Sequence, residues 1–375
     1  MKILIAADIF PPQAGGPATY VVMLANELEK RGDEVRIVSL NPQSDSAAVR
    51  CPVEAVKSQN KLLRYWQYFF LLWKRAKSAD VVYAMGPVNA GFPALLASKL
   101  RGKRLAVKIV GDYAWEQYQN EECGMKNAEL LGINEFQKGG GYSLKIKILR
   151  FVEKFVARES SAIIVPSLYL KRLVVGWGLS EHCVSMVHNE VEYVSVNSIE
   201  HENEKWVVSV GRLTPWKGMD TLIEIMPDLL KENFNLKLKI VGDGPMIGNL
   251  RKKIKDLNLE NSVELTGNLP KTKTLTYMAS ANVFVLNSGY EGYAHVLIEA
   301  LNQGVPVLAS RVGGNDEVAA GEALFEYNNK KEIKEKILAN INTPKREPIR
   351  HAFFMGGTME MINHTKELLQ QICQN

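Results

Sequence analysis

The sequence predicts an α/β protein built from two doubly wound, parallel-sheet domains. Three observations carry that reading. Apolar runs near Lys2, Val35, Val81, Leu105, Ile163 and Val184, and again near Val207, Leu238, Val263, Val283 and Val307, alternate with helical patterns. Such alternation makes parallel sheets covered on both faces. A chain of 375 residues, 46% hydrophobic and 23% charged, has globular composition and exceeds a single ordinary core. Finally, Glu192 to Lys205 (EYVSVNSIEHENEK) is polar, acidic and without apolar periodicity, as a linker would be. The expected division is a first domain over 1–192, a hinge over 193–205, a second domain over 206–350 and a closing helix over 351–375.

The elements follow in order. Lys2 to Ala7 is an apolar strand, and the loop after it ends in Gly15-Gly16 before Pro17 opens a helix, the position at which proline is favoured. Two glycines there let backbone N–H groups approach an anion, although a glycine pair also serves a plain tight turn. Trp66, Phe69, Phe70 and Trp73 fall at helical spacing ahead of the strand near Val81. From Gly111 to Tyr142 the pattern is irregular, and Asp112, Tyr113, Trp115 and Glu116 stand at the carboxyl edge of the first sheet. There they face a ligand, or Trp115 anchors the loop by packing.

In the second half, Val207 to Asp220 (VVSVGRLTPWKGMD) runs from a strand into a loop carrying Arg212 and Lys217, with a helix beginning near Met219. A guanidinium fork and a compact ammonium in one loop suit phosphate oxygens, and also suit a solvated surface. Ser288 to Pro306 (SGYEGYAHVLIEALNQGVP) follows the buried strand Val283 to Leu286, and its helix, Ala294 to Leu301, is ended by Gln303-Gly304. Glu291 and Glu299 have seven residues between them, which puts Glu299 two turns down the helix, roughly 12 Å along its axis. Two carboxylates at that separation can hold hydroxyl groups at both ends of a sugar diphosphate nucleoside, with helix-start N–H groups on the diphosphate between them. The alternative is a first-turn carboxylate favoured by the helix dipole and a solvated Glu299.

These segments, in this order, resemble family 4 of the retaining glycosyltransferases, group 1 of the GT-B enzymes. The resemblance rests on Gly211-Arg212-Leu213 with Lys217-Gly218, Val241-Gly242-Asp243-Gly244-Pro245, Leu265-Thr266-Gly267, Tyr290-Glu291-Gly292, Glu299-Ala300, Gly304-Val305-Pro306-Val307 and Val312-Gly313-Gly314. It implies two Rossmann-like domains facing a central cleft, a last helix that returns to the first domain, and a nucleotide-diphosphate sugar, UDP- or GDP-linked, as donor. It further implies that Arg212 and Lys217 hold the diphosphate, Glu291 contacts the donor sugar, Glu299 binds the ribose hydroxyls, and Gly15 and Gly16 face the donor phosphate. Gly242, Gly267, Gly292, Tyr293, Ala294, His295 and Val296 line the same donor site. Many members place a histidine at the end of the strand that here reads Lys108-Ile109-Val110-Gly111-Asp112. With no histidine present, Asp112 is the candidate for that contact or for receiving the acceptor hydroxyl.

The implied activity is transfer of a hexose-type sugar to a glycan or lipid-linked acceptor with the anomeric configuration kept. An epimerase or phosphorylase of the same plan and a non-catalytic nucleotide-sugar binder are the alternatives. No Asp-X-Asp pair is available for a metal on the diphosphate, and the Arg212–Lys217 loop is expected to stabilise the leaving group without one. Cys51, Cys123, Cys183 and Cys373 form no close pair and no metal-ligand spacing, as in a reduced cytoplasmic protein. All of the net charge of +5 lies in residues 1–200, which hold 25 basic against 20 acidic side chains. Lys57 to Lys77 has six basic residues and no acidic one, and Lys138 to Arg158 has six against Glu153 alone. With their aromatic residues these stretches fit a peripheral contact with an anionic membrane, while a helix before the strand near Val81 also has a sheet to cover. Nothing resembles a nucleic-acid module, so nucleic acid is not an expected partner.

Overall fold

The structure, a computed structural model, describes residues 1–13, 15–125, 131–191, 193–345 and 357–374. The expected closing helix, 351–375, therefore lies partly outside the described residues. Two compact units emerge: Met1–Gln117, Gly140–Glu190 and Gly356–Asn375 form the first, and Tyr118–Gly139 and Val191–Met355 the second. Residues 118–139 thus belong to the second unit, whereas the sequence reading placed them in the first domain.

The first unit is a seven-stranded sheet of β1 (Lys2–Ala7), β2 (Glu34–Ser39), β3 (Val53–Ala55), β4 (Val81–Met85), β5 (Arg104–Lys108), β6 (Ala162–Val165) and β7 (Val184–Met186). The order is β3-β2-β1-β4-β5-β6-β7, and every pairing is parallel. Strand order reverses between β1 and β4, the switch point at which such sheets bind ligands. One face is covered by α2 (Lys61–Ala76), α3 (Gly91–Arg101), α6 (Leu144–Glu159) and α7 (Leu168–Val175), through buried residues such as Tyr68, Leu95, Val156 and Leu170. The other face is covered by α1 (Gly16–Lys30) and the C-terminal helix Gly357–Gln374, whose Met361, Ile362 and Leu369 join Leu24 and Leu28 in one core. Lys366 pairs with the buried Asp33 at 2.7 Å, and Arg31 donates to Asn363 at 2.8 Å, fixing that helix on α1.

The stretch expected to be irregular contains two helices, α4 (Tyr113–Met125) and α5 (Ile133–Lys138). The physical reason is a cap: Asp112 Oδ1 accepts the Trp115 N–H at 2.7 Å, satisfying an N–H that the first helical turn leaves open. Trp115 is fully buried, in keeping with the anchoring alternative.

The second unit is a six-stranded parallel sheet of β8 (Lys205–Val210), β9 (Leu236–Val241), β10 (Val263–Gly267), β11 (Val283–Leu286), β12 (Val307–Ser310) and β13 (Leu324–Phe325), in the order β10-β9-β8-β11-β12-β13. Its switch point lies between β8 and β11. Helices α8 (Met219–Glu224), α9 (Met226–Glu232), α10 (Ile247–Asp256) and α13 (Lys330–Asn340) cover one face, and α11 (Lys271–Ser280) and α12 (His295–Asn302) the other.

Candidate active site

The loops that leave β8 and β11 meet at the switch point of the second unit. Arg212 and Lys217 come from the first loop, and Glu291 from the second. Lys217 Nζ is ion-paired with Glu291 Oε1, and the Ser288 hydroxyl donates to the same oxygen at 2.7 Å. Both charged side chains are largely buried, 16% and 12% exposed, so their attraction is only weakly screened. Arg212 is exposed and makes no ion pair among the described residues, which leaves its guanidinium available to an incoming anion.

Backbone contacts set the spacing of these loops. A side chain at Gly313, where φ is +59°, would put its Cβ 1.8 Å from the Glu291 carbonyl oxygen, the oxygen that accepts the Gly314 N–H at 3.0 Å. At Gly242, with φ +138°, a Cβ would lie 2.0 Å from the Gly211 carbonyl oxygen. Only glycine lets the loop after β9 close on the loop that carries Arg212. Gly267, at the end of β10, accepts the Gly242 N–H at 2.9 Å and extends the same row.

Below the ion pair lies a buried polar layer. Asn287 donates to the Gly218 carbonyl at 3.0 Å and to Asn328 at 2.8 Å, and accepts the Asn328 N–H at 3.0 Å. The Ser310 hydroxyl donates to the Ser288 carbonyl at 2.6 Å and accepts the Ser288 N–H at 3.0 Å. These bonds clamp β11, β12 and the Lys217 loop, so that Glu291 is presented from a rigid base. The sequence signal was the abrupt change from VFVL to Asn287-Ser288, two polar residues ending an apolar strand.

Gly292, Tyr293 and Ala294 are buried in the turn between Glu291 and α12, and His295 and Val296 open that helix half-exposed. The His295 N–H donates to the Tyr293 carbonyl and the Leu297 N–H to Ala294, each at 3.1 Å, which ties the helix start down locally. Glu299 lies on α12, 8% exposed, and is ion-paired with Lys271 of α11. Lys271 was not anticipated, because its pairing depends on the adjacency of two helices and no local pattern marks it.

Gly15, Gly16 and Asp112 belong to the first unit. Gly15 caps α1 with φ +149°, a conformation that favours glycine, and Gly16 is the first residue of that helix. Asp112 is fully buried and holds the N-cap of α4 beside Glu153. Burial, and then the neighbouring Asp112 charge, hold the Glu153 carboxyl well above the usual range. Asp112 thus caps α4 and stands beside Glu153, and its expected contact at the family-histidine position or with an acceptor hydroxyl is a proposal. A further group appears at the switch point of this unit: Asn89 donates to Asp8 at 3.2 Å and accepts the Tyr65 hydroxyl at 2.7 Å. Burial pushes the Asp8 carboxyl up despite the Asn89 bond.

Comparison with known proteins adds the family. Residues 195–352 match the model described as glycosyl transferases group 1, and residues 15–190 match the glycosyl transferase 4-like domain. The chain belongs to the group 1 glycosyltransferases. Among curated relatives, the α-monoglucosyldiacylglycerol synthase of Streptococcus pneumoniae is 23% identical over 82% of this chain and 71% of its own length. The amylovoran biosynthesis glycosyltransferase AmsD of Erwinia amylovora is 26% identical over 82% and 80%. Among solved structures, Anabaena HepE in complex with UDP-glucose superposes with a TM-score of 0.71 at 19% identity, over 100% of this chain and 98% of that one. The fold of this glycosyltransferase is GT-B, with one parallel-sheet unit for each of the two family domains.

Proposed function

We propose that the switch point of the second unit binds a nucleotide-diphosphate sugar and that the enzyme moves its sugar to an acceptor hydroxyl with retention of configuration. The observation that carries this reading is the convergence of Lys217, Glu291 and exposed Arg212 from the two loops at that point. Arg212 and Lys217 neutralise the diphosphate as it departs, Glu291 accepts bonds from the donor sugar, and Glu299 holds the ribose hydroxyls. In a retaining transfer of this kind the departing diphosphate takes the acceptor's proton. The protein's main tasks are then charge stabilisation and alignment. The HepE complex with UDP-glucose supports a uridine donor. Electrostatic stabilisation by Arg212 and Lys217 supplies the charge that a metal would otherwise bring.

The relatives that build a glycolipid and an exopolysaccharide support a lipid-linked or glycan acceptor. Among the described residues no helix is long and apolar enough to cross a membrane, and a peripheral contact accords with such an acceptor. The reading is tested by thermal stabilisation across a panel of UDP-, GDP- and ADP-sugars, with Glu299→Ala and Lys217→Ala beside the parent protein. Selective stabilisation by one base that both variants lose supports it. Stabilisation by none of the panel overturns it.

A further inference from the structure

Three neighbouring helices on one face of the first unit leave large apolar side chains in solvent. On α2 these are Leu62, Leu63, Trp66 and Phe70, on α3 Leu96 and Leu100, and on α6 Leu144, Ile148 and Phe151. Leu62 is 76% exposed, Trp66 61%, Leu144 75% and Phe151 67%, values foreign to a packed core. Scattered apolar residues on a surface need no explanation, but these form stripes. Leu96 and Leu100 are four apart, as are Leu144 and Ile148, and Trp66 stacks on Phe70 with ring centroids 5.8 Å apart. Packed helices lie about 10 Å apart, so three adjacent stripes span about 20 Å across the face.

The two long helices, α2 and α6, are also capped by side chains at their N-termini, which makes their exposed faces persistent features. Asn60 accepts the N–H groups of Leu62 and Leu63 at 3.0 and 3.2 Å, and Ser143 accepts that of Ile146 at 3.4 Å. Tyr68, Leu72 and Val156 point inward and cover the sheet. The aromatic stripe of α2 is thereby divided, with Trp66 and Phe70 exposed and Phe69 and Trp73 packed against the core.

Charge decides what covers this face. Its two long helices carry the basic stretches of the chain, with Lys57, Lys61 and Lys147 exposed, and the one acidic residue between Lys138 and Arg158, Glu153, is buried. A second copy brought face to face would set one basic cluster against another, whereas an anionic bilayer offers a complementary charge and an apolar interior.

We propose that the outer faces of α2, α3 and α6 form a docking surface for an anionic lipid bilayer, with Leu62, Trp66, Leu144 and Phe151 entering the headgroup boundary and the lysines meeting lipid phosphates. This rests on the peripheral contact proposed above and deepens it. It is independent of the donor chemistry, so vesicle binding and nucleotide-sugar binding fail separately.

The test is flotation of the whole protein with vesicles of phosphatidylglycerol and phosphatidylcholine, against phosphatidylcholine alone. Trp66 is the exposed one of the six tryptophans, so its emission reports entry. The expected result is flotation with the anionic vesicles, a blue shift of emission that Trp66→Phe abolishes, and at least a tenfold loss of binding in Leu62→Ser/Trp66→Ser/Phe151→Ser with thermal stability and nucleotide-sugar binding retained. Should that triple variant fold poorly, Lys61→Glu/Lys147→Glu leaves the apolar stripes intact and is expected to lose anionic binding alone. Absence of flotation by the parent protein, equal flotation by folded variants, an unshifted Trp66, or a solution dimer that the triple variant dissociates would each overturn the proposal.

Discussion

Glu299 of α12 is ion-paired with Lys271 at the start of α11, so the carboxylate proposed for the ribose hydroxyls already has a partner. The lysine side chain is 54% exposed and Glu299 9%, an asymmetry that lets the lysine swing into water while the carboxylate stays in place. An ion pair with one wet partner contributes about 0–1 kcal/mol. Lys271→Ala is therefore predicted to tighten UDP binding by less than about fivefold, because the carboxylate no longer exchanges partners. Glu299→Ala, which removes charged hydrogen bonds of about 1.5–3 kcal/mol, is predicted to weaken it by about 10- to 100-fold. Titration calorimetry with UDP separates the two.

Lys217 has a different proposed task, in which its ammonium stabilises the charge that develops on the leaving group. Lys217→Ala is predicted to lower turnover by about 10²–10³-fold, the loss typical of removing one preorganised donor. Lys217→Arg is predicted to rescue poorly, since a planar guanidinium does not fit a place built for a compact charge between Glu291 and the Gly218 turn. Steady-state rates with the best donor check both.

Glycine positions separate site geometry from bulk stability. Gly313→Ala drives a Cβ toward the Glu291 carbonyl, and the strain at its positive φ adds a cost of about 1–3 kcal/mol. It is predicted to lower Tm and activity together. Gly248, inside α10 with open space around it, is the control: Gly248→Ala is predicted to be neutral or to stabilise by about 0.5–1 kcal/mol.

Lys108 supplies a pH dependence. It is buried at the end of β5, over the Tyr20 ring at 4.3 Å, and burial lowers its amine to about 7 from 10.5. Between those values the unfolded chain holds a proton that the folded one lacks, so stability rises with pH across that window, by at most about 1.4 kcal/mol per unit. Lys108→Met is predicted to abolish this rise when urea midpoints are compared at pH 7 and 9. Tyr20 and Tyr83, raised by burial, act only at more alkaline pH and with the opposite sign.

Asp112 tests the reading of the first unit. Asparagine also caps helices, so Asp112→Asn is predicted to keep Tm and turnover, whereas Asp112→Ala loses the cap at about 1 kcal/mol. Thermal melts and rates on the pair decide whether the carboxylate does more than cap.

What the sequence disclosed follows from how local each signal is. The central strands around Val38, Val82, Val208 and Val285 are continuous apolar runs, legible because both sheet faces are buried. Val53–Ala55 and Leu324–Phe325 pair at sheet edges over three and two residues, too short for any pattern. Helix α4 was missed because YAWEQYQNEECGM carries no apolar stripe, and its start depends on a buried carboxylate rather than an exposed cap. At the site, Arg212, Lys217, Glu291 and Glu299 were legible as residue types at defined spacing. Their pairings were not, for Lys217 meets Glu291 across a sheet crossover and Lys271 reaches Glu299 only through helix packing.

The most direct measurement is proton NMR of the sugar released when the protein is incubated with the donor that stabilises it most, followed before mutarotation, with Lys217→Ala and Glu299→Ala alongside. Release of free nucleotide diphosphate together with a sugar of the donor's own anomeric form, suppressed in both variants, is the result predicted. Release of the opposite anomer, or no cleavage of any nucleotide sugar in the presence of glycan and lipid acceptors, would contradict the account.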